Sequence, residues 1–201
     1  MNRIEALYSH IDIKDKVVDV GCDQAKLSLM LEKRNQSSIA SDISQKVIMK
    51  AKQSINSPLI DLRVSDGLSS IHENEADTVV LSGMGAHTII DILSKTKLKF
   101  NKIITISNNH HDYLRTKMND LDYKVSKEQI VKENNKYYNL IVFVPGNMNY
   151  SEKELLLGLN HVDKNMYDEY LDYLLKKYTN IQKMSNSKNE TINKIIGYIK
   201  Q

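Results

Sequence analysis

The chain has 201 residues, 41% of them apolar and 26% charged, with a formal net charge of +3 and one cysteine, Cys22. That length carries one domain of about 150 residues with a packed core, plus an appendage. The lone cysteine excludes an internal disulfide, no apolar run nears the ~18 residues of a membrane span, and no apolar segment follows Met1-Asn2-Arg3, so a cytoplasmic protein without membrane contact is expected.

Apolar β-rich runs fall at 17–21, 38–42, 59–65, 77–82, 102–107, 123–132 and 137–144, and helical patterns at 24–34, 44–55, 86–94 and 112–121. Strands alternating with helices predict an α/β fold with a mostly parallel sheet covered on both faces. Only Glu133-Asn134-Asn135-Lys136 separates the last two strands, which predicts an antiparallel hairpin. Five parallel strands closed by a terminal hairpin is the arrangement of class I methyltransferases, a Rossmann-like seven-stranded sheet. Pro145-Gly146-Asn147 is a breaker cluster and sets the boundary between a catalytic domain at 1–147 and a helical domain at 148–201. In the latter, Ser151 with Glu154 has capping-box spacing. Met166, Tyr170, Tyr173, Leu174, Tyr178, Ile181 and Met184 repeat at helical spacing, as do Ile192, Ile195, Ile196 and Ile199.

In such sheets a ligand binds where the strands end, at the point where the winding reverses. Strand one ends in Asp19-Val20-Gly21-Cys22-Asp23. A glycine here lets the backbone approach a ligand closely. The two carboxylates would repel a pyrophosphate, but S-adenosylmethionine (AdoMet) carries a sulfonium and an ammonium. The plainer reading makes Asp23 a helix cap. Asp42 ends strand two, 21 residues after Gly21, at the separation where an acid accepts hydrogen bonds from ribose hydroxyls; it could instead cap the next helix. Asp66-Gly67 ends strand three and can meet an adenine amino group or form an ordinary turn. Strand four ends in Ser82-Gly83-Met84-Gly85, two glycines that admit close backbone approach, or a plain tight turn. It lacks the acid or amide followed by prolines found in many amino-methylating enzymes, which suits a target needing no amine deprotonation. Asn108-Asn109 and His110-His111 follow strand five. The amides can read a base edge, while adjacent histidines point apart on a helix and no third ligand is spaced for a metal. Cys22, inside the first turn, reads as a small packing residue rather than a nucleophile.

Together these residues resemble the bacterial tRNA adenine-N1 methyltransferases that act on tRNA position 22, the TrmK family. The likeness covers nearly the whole chain: the Asp19–Asp23 turn, Asp66-Gly67, Gly83-Met84-Gly85, Asn109, Leu114-Arg115 and Lys136-Tyr137-Tyr138. The chain departs from the family pattern at Gln24, Lys26, Ala86, Ser107-Asn108 and Asp42. The resemblance implies AdoMet as co-substrate, no metal, tRNA as partner and a C-terminal coiled-coil-like helical domain; the sequence leaves the oligomeric state open, with a monomer favoured. It implies a cofactor site of Asp19, Gly21, Cys22, Asp23, Asp42, Ile43, Asp66, Gly67 and Ser82, with Gly83, Met84, Gly85 and Asn109 at the target base. Arg115 could meet phosphate or stay within its own neighbourhood. The lysines at 95, 97, 99 and 102 precede strand five, away from the active face, and read as a solvated surface. Helical spacing assigns most of the tyrosines at 167, 170, 173 and 178 to packing rather than base stacking. Competing readings are a methyltransferase for another RNA site or a small molecule, and a non-catalytic RNA-binding module. A nicotinamide reductase fits least, because the first turn has no G-x-G-x-x-G.

Overall fold

The computed structural model describes residues 1–184 and 189–201. Among these residues seven strands form one sheet: β1 (Val17–Val20), β2 (Ser38–Asp42), β3 (Ile60–Val64), β4 (Thr78–Met84), β5 (Lys102–Ser107), β6 (Tyr123–Glu133) and β7 (Lys136–Pro145). Their spatial order is β3-β2-β1-β4-β5-β7-β6. The first five run parallel, and β7 enters antiparallel between β5 and β6. The hairpin closes through Asn134 and Asn135, at φ 50° and 58°. Two successive left-handed residues match the twist of the strands, and asparagine tolerates that conformation well.

Among the described residues there are eight helices: α1 (Arg3–Ser9), α2 (Lys26–Glu32), α3 (Gln45–Ser54), α4 (Ala86–Lys95), α5 (His111–Asp120), α6 (Glu152–Leu157), α7 (Lys164–Met184) and α8 (Glu190–Ile199). Alternation along each strand divides the core between the two faces. Val18, Val20, Val79, Leu81 and Ile103 pack with Ile89, Leu93, Leu114 and Met118 of α4 and α5. Val17, Val80, Ile104 and Leu140 pack with Ala6, Leu7, Leu27 and Leu31 of α1 and α2. Among the described residues no helix is long and apolar enough to cross a membrane.

Three local features differ from the sequence reading. Helix α1 was not anticipated, although Asn2 and Glu5 form a complete capping box at its start. Helix α2 begins at Lys26 because Asp23 and Ala25 hold φ of 49° and 51°, so the chain turns sharply before it coils. Lys102 is also not a solvated cation. It bridges Asp12 at 2.6 Å and Asp15 at 2.7 Å, tying the segment after α1 to the start of β5.

Beyond β7 the chain turns helical. Leu157, Leu174 and Ile195 form a small separate core among α6, α7 and α8. A buried ion pair joins these helices to the sheet. Arg115 of α5 meets Glu128 of β6 at 2.6 Å, each 1% exposed. Arg115 also donates to the Leu155 carbonyl at 2.7 Å, and Glu128 accepts from the Leu159 backbone at 3.3 Å. Arg115 therefore stays within its own neighbourhood and is sealed from any phosphate. Gly158 closes this junction at φ +88°, where a Cβ would stand 2.6 Å from Glu128 Oε2 and 2.8 Å from Arg115 Nη2.

Arg115→Met leaves Glu128 charged, buried and unpaired. It should cost about 3–5 kcal/mol, while adding Glu128→Leu should restore much of the loss because no orphan charge remains. Thermal denaturation of both variants tests this; a single variant within about 1 kcal/mol of the parent would contradict it.

Candidate active site

The winding reverses between β1 and β4, so their carboxyl ends open onto a crevice. Asp19 lies two residues after Val17 and shares its face, toward α1 and α2. On that face lies a cavity of about 590 Å³ lined by Asp19, Gly21, Cys22, Asp23, Ser82 and Gly83, together with Asn2, Arg3 and Glu5 from the first turn of α1. The volume suits a small-molecule ligand.

Gly21 makes the turn. Its N–H and that of Cys22 donate to the Ser41 carbonyl at 2.8 and 2.9 Å, which folds the chain back over the end of β2. Its φ is +77°, and a Cβ would come within 3.1 Å of the Met84 methyl. Any larger residue would fill the cradle between the β1 and β4 turns. Asp23 caps no helix; α2 has no side-chain cap at all. Asp42 accepts from Ser44 N at 2.9 Å and from Asp23 N at 3.4 Å, which links the two strand ends. Beside it Ile43 is 69% exposed, an apolar surface open to a flat ring.

Asp19 defines the electrostatics. It is 6% exposed, and among the described residues no group donates a hydrogen bond to its carboxylate. Burial, reinforced by the charge of Asp42, pushes its carboxyl up to about 7. A buried carboxylate without a partner is costly unless a cation meets it, so the donor set fits a positively charged ligand. Cys22 is pushed up to about 12, first by burial and then by Asp19 and Asp42, so it is a neutral thiol.

The end of β4 is fastened to that of β5. Asn108 donates from its backbone to the Met84 carbonyl at 2.9 Å and from its side chain to the Gly83 carbonyl at 3.1 Å. Asn109 Oδ1 stands 3.4 Å from where a Gly85 Cβ would be. Gly83 has φ +81° and open space on its Cβ side, so the turn is accessible from outside. His110 turns outward against His87, ring centroids 5.3 Å apart. His111 turns inward to the Ser107 carbonyl at 3.2 Å, and burial followed by the Arg115 charge lowers it to about 4. Among the described residues no cluster of three or more His, Cys, Asp or Glu is placed to hold a metal ion.

Asp66 and Gly67 line a different cavity, about 370 Å³, with Ile92 and Lys95 of α4. A Cβ at Gly67 would meet Ile92 at 2.9 Å, so packing against α4 already requires the glycine. The sequence reading did not include Asn2, Arg3 and Glu5 in the first cavity. Their signal was the Asn2–Glu5 capping spacing, which marks a helix start but not where that helix docks.

A seven-stranded sheet of this order, with a glycine turn and buried acid at the reversal, defines a class I methyltransferase fold. Residues 1–141 match the family described as "Methyltransferase domain". A Bacillus subtilis relative, tRNA (adenine(22)-N(1))-methyltransferase, is 28% identical over 153 residues, spanning 72% of this chain and 64% of that protein. The M. capricolum TrmK structure with S-adenosyl-homocysteine is 25% identical, with TM-score 0.82 over 98% of this chain and 95% of that one. Streptococcus pneumoniae Sp1610 shares the fold at TM-score 0.89 and 23% identity, covering 100% of this chain and 97% of that one. The chain belongs to the methyltransferase-domain family.

The raised Asp19 carboxyl has a stability consequence. The folded protein holds its proton up to about pH 7, whereas the unfolded chain releases it near 3.8. Stability of the ligand-free protein therefore falls as pH rises between those values. Asp19→Asn removes the buried charge and should raise the melting temperature, more at pH 8 than at pH 5. Calorimetry at both pH values tests this; an equal or negative shift would count against an unpartnered buried carboxylate.

Proposed function

We propose that this protein transfers a methyl group from AdoMet to N1 of an adenine at position 22 of tRNA. The observation that carries the reading is the buried, partnerless carboxylate of Asp19 beside the Gly21 cradle, a site built for a cationic ligand in a methyltransferase fold. The named activity of the B. subtilis relative and the S-adenosyl-homocysteine bound to M. capricolum TrmK support the choice of donor and target.

When bound, AdoMet supplies an electrophilic methyl on a sulfonium and departs as a neutral thioether. Asp19 meets the ammonium end, Asp42 accepts from ribose hydroxyls, and Ile43 covers an adenine face. Cys22, Asp23 and Ser82 line the pocket, whereas Asp66 and Gly67 face the separate cavity beside α4 and take no part in it. The adenine N1 lone pair is free in the neutral base. It forms the new N–C bond as the C–S bond breaks, and the positive charge passes to the base. No proton leaves in that step, which suits a β4 turn, Gly83-Met84-Gly85, that contains no acid or base. Those backbone groups and Asn109 hold the base edge, so positioning supplies most of the rate. N1 lies on the pairing edge, so the adenine must leave its pair to be reached. The helices from α6 onward form the tRNA-binding appendage. Their eight lysines against seven acids from Ser151 onward leave recognition to local clusters and shape.

Two results are expected. The free Asp19 carboxyl titrates near 7, and a cationic ligand favours its ionised form. The AdoMet Kd measured by calorimetry should therefore tighten from pH 5.5 to 7, and Asp19→Asn should bind weakly without that slope. A flat profile in the parent would count against the carboxylate–cation contact. Asn109→Ala should lower kcat on a tRNA transcript by tenfold or more with AdoMet affinity nearly unchanged; mass spectrometry of the digested tRNA should find 1-methyladenosine at position 22. Unchanged turnover would remove Asn109 from the site, and no methylated adenosine in the parent reaction would overturn the reading.

A further inference from the structure

A second opening adjoins the catalytic turn. It is a cavity of about 420 Å³ between the carboxyl end of β5, the start of β7 and one side of α7, and Asn108, Asn109, Tyr137, Tyr173 and Lys177 line it. Asn108 belongs to both places: it holds the Gly83 carbonyl at 3.1 Å and lines this cavity. The cavity therefore begins where the β4 turn ends.

Its chemistry is specific. The Tyr137 and Tyr173 rings lie 4.8 Å apart between centroids, tilted by 36°. Tyr137 donates its hydroxyl to Glu169 at 2.7 Å, and that carboxylate is already paired with Lys132. Tyr173 is 39% exposed, far more than a packing residue of α7 needs. Lys177 Nζ sits 5.9 Å from the Tyr173 ring centroid, and among the described residues it meets no carboxylate within bridging distance. Lys136, another exposed cation, stands on the same rim. An exposed aromatic ring such as Tyr173, cations outside ion pairs and side-chain amides are the elements that hold unstacked nucleotides: stacking for the base, charge for the phosphate, amides for the base edge.

We propose that this cavity receives a nucleotide of the RNA strand next to the target adenine, unstacked onto Tyr173 with its phosphate toward Lys177. The proposal rests on the tRNA methyltransferase reading and adds a subsite to it. It gives the C-terminal helices a defined task. Through α7 they build one wall of a nucleotide pocket beside the catalytic turn, so the strand is held next to the base that must leave its pair.

The test uses the full chain and an in vitro transcribed tRNA carrying adenine at position 22. Tyr173→Ala should raise the Kd for the transcript, and its KM in methyl transfer, by roughly tenfold or more, as loss of one base–aromatic stack predicts. Tyr173→Phe should behave like the parent, because the ring face makes the contact. Lys177→Ala should reduce the salt dependence of tRNA binding by about one unit of logarithmic slope. The AdoMet Kd should be unchanged in all three, which also reports that the variants fold. If Tyr173→Ala fails that control, the Lys177→Ala slope and Tyr173→Phe decide the matter. A parent that methylates the transcript, with Tyr173→Ala within twofold and the Lys177→Ala slope unaltered, overturns the subsite alone. A parent that binds AdoMet but neither binds nor methylates the transcript overturns the tRNA reading and the subsite with it.

Discussion

The Arg115–Glu128 pair is the contact on which the arrangement of the two parts of the chain depends. Both groups are sealed from water, so neither can be left alone without a desolvation cost larger than most single contacts return. The geometry engages all three guanidinium nitrogens and both carboxylate oxygens. Arg115 makes two bonds to Glu128 and one to the Leu155 carbonyl, and Glu128 accepts in turn from the Leu159 backbone. The backbone of Glu128 also bonds Asn160 and Val162, so the segment after Gly158 runs beside β6. The C-terminal helices are therefore seated against the sheet at a set height, and α7 is brought over the start of β7.

A second buried carboxylate does the opposite. Among the described residues no cation pairs with Asp19, and its neighbour Asp42 adds repulsion rather than relief. Stability alone would favour an apolar residue there, so the carboxylate is explained by a ligand that completes it. Glu128 is an acid matched within the chain and serves structure; Asp19 is an acid left unmatched at a strand end, and in the proposed function a cationic ligand meets it. The distinction follows from the partners: Glu128 is sealed against Arg115, whereas Asp19 faces the cavity.

The turns around the site are rigid for related reasons. Gly21 folds over Ser41 of β2 and touches the methyl of Met84 on β4, and Asn108 ties the end of β5 to Gly83 and Met84. Strand ends two, one, four and five are thus joined by short contacts across the crevice, so a ligand and a target base can be aligned without large loop movement.

Much of the architecture could be read from local pattern. Strand and helix periods, the two-residue Asn134-Asn135 turn, the glycine bends and the acids at strand ends each depend on a few consecutive residues whose backbone preferences and side-chain alternation are intrinsic. The sequence therefore determined the sheet, its closing hairpin and the acidic character of the first crevice. What it could not contain was partnership across distance. Arg115 looks the same whether it faces phosphate or a glutamate 13 residues later, Lys102 the same whether solvated or paired to the segment after α1, and the Asn2–Glu5 cap the same wherever its helix docks. The separation of Asp66 from the main cavity and the meeting of Tyr137 with Tyr173 likewise arise when distant elements pack. Burial and pairing are properties of that packing, and through them the tertiary structure decided which charges are structural and which remain for a ligand.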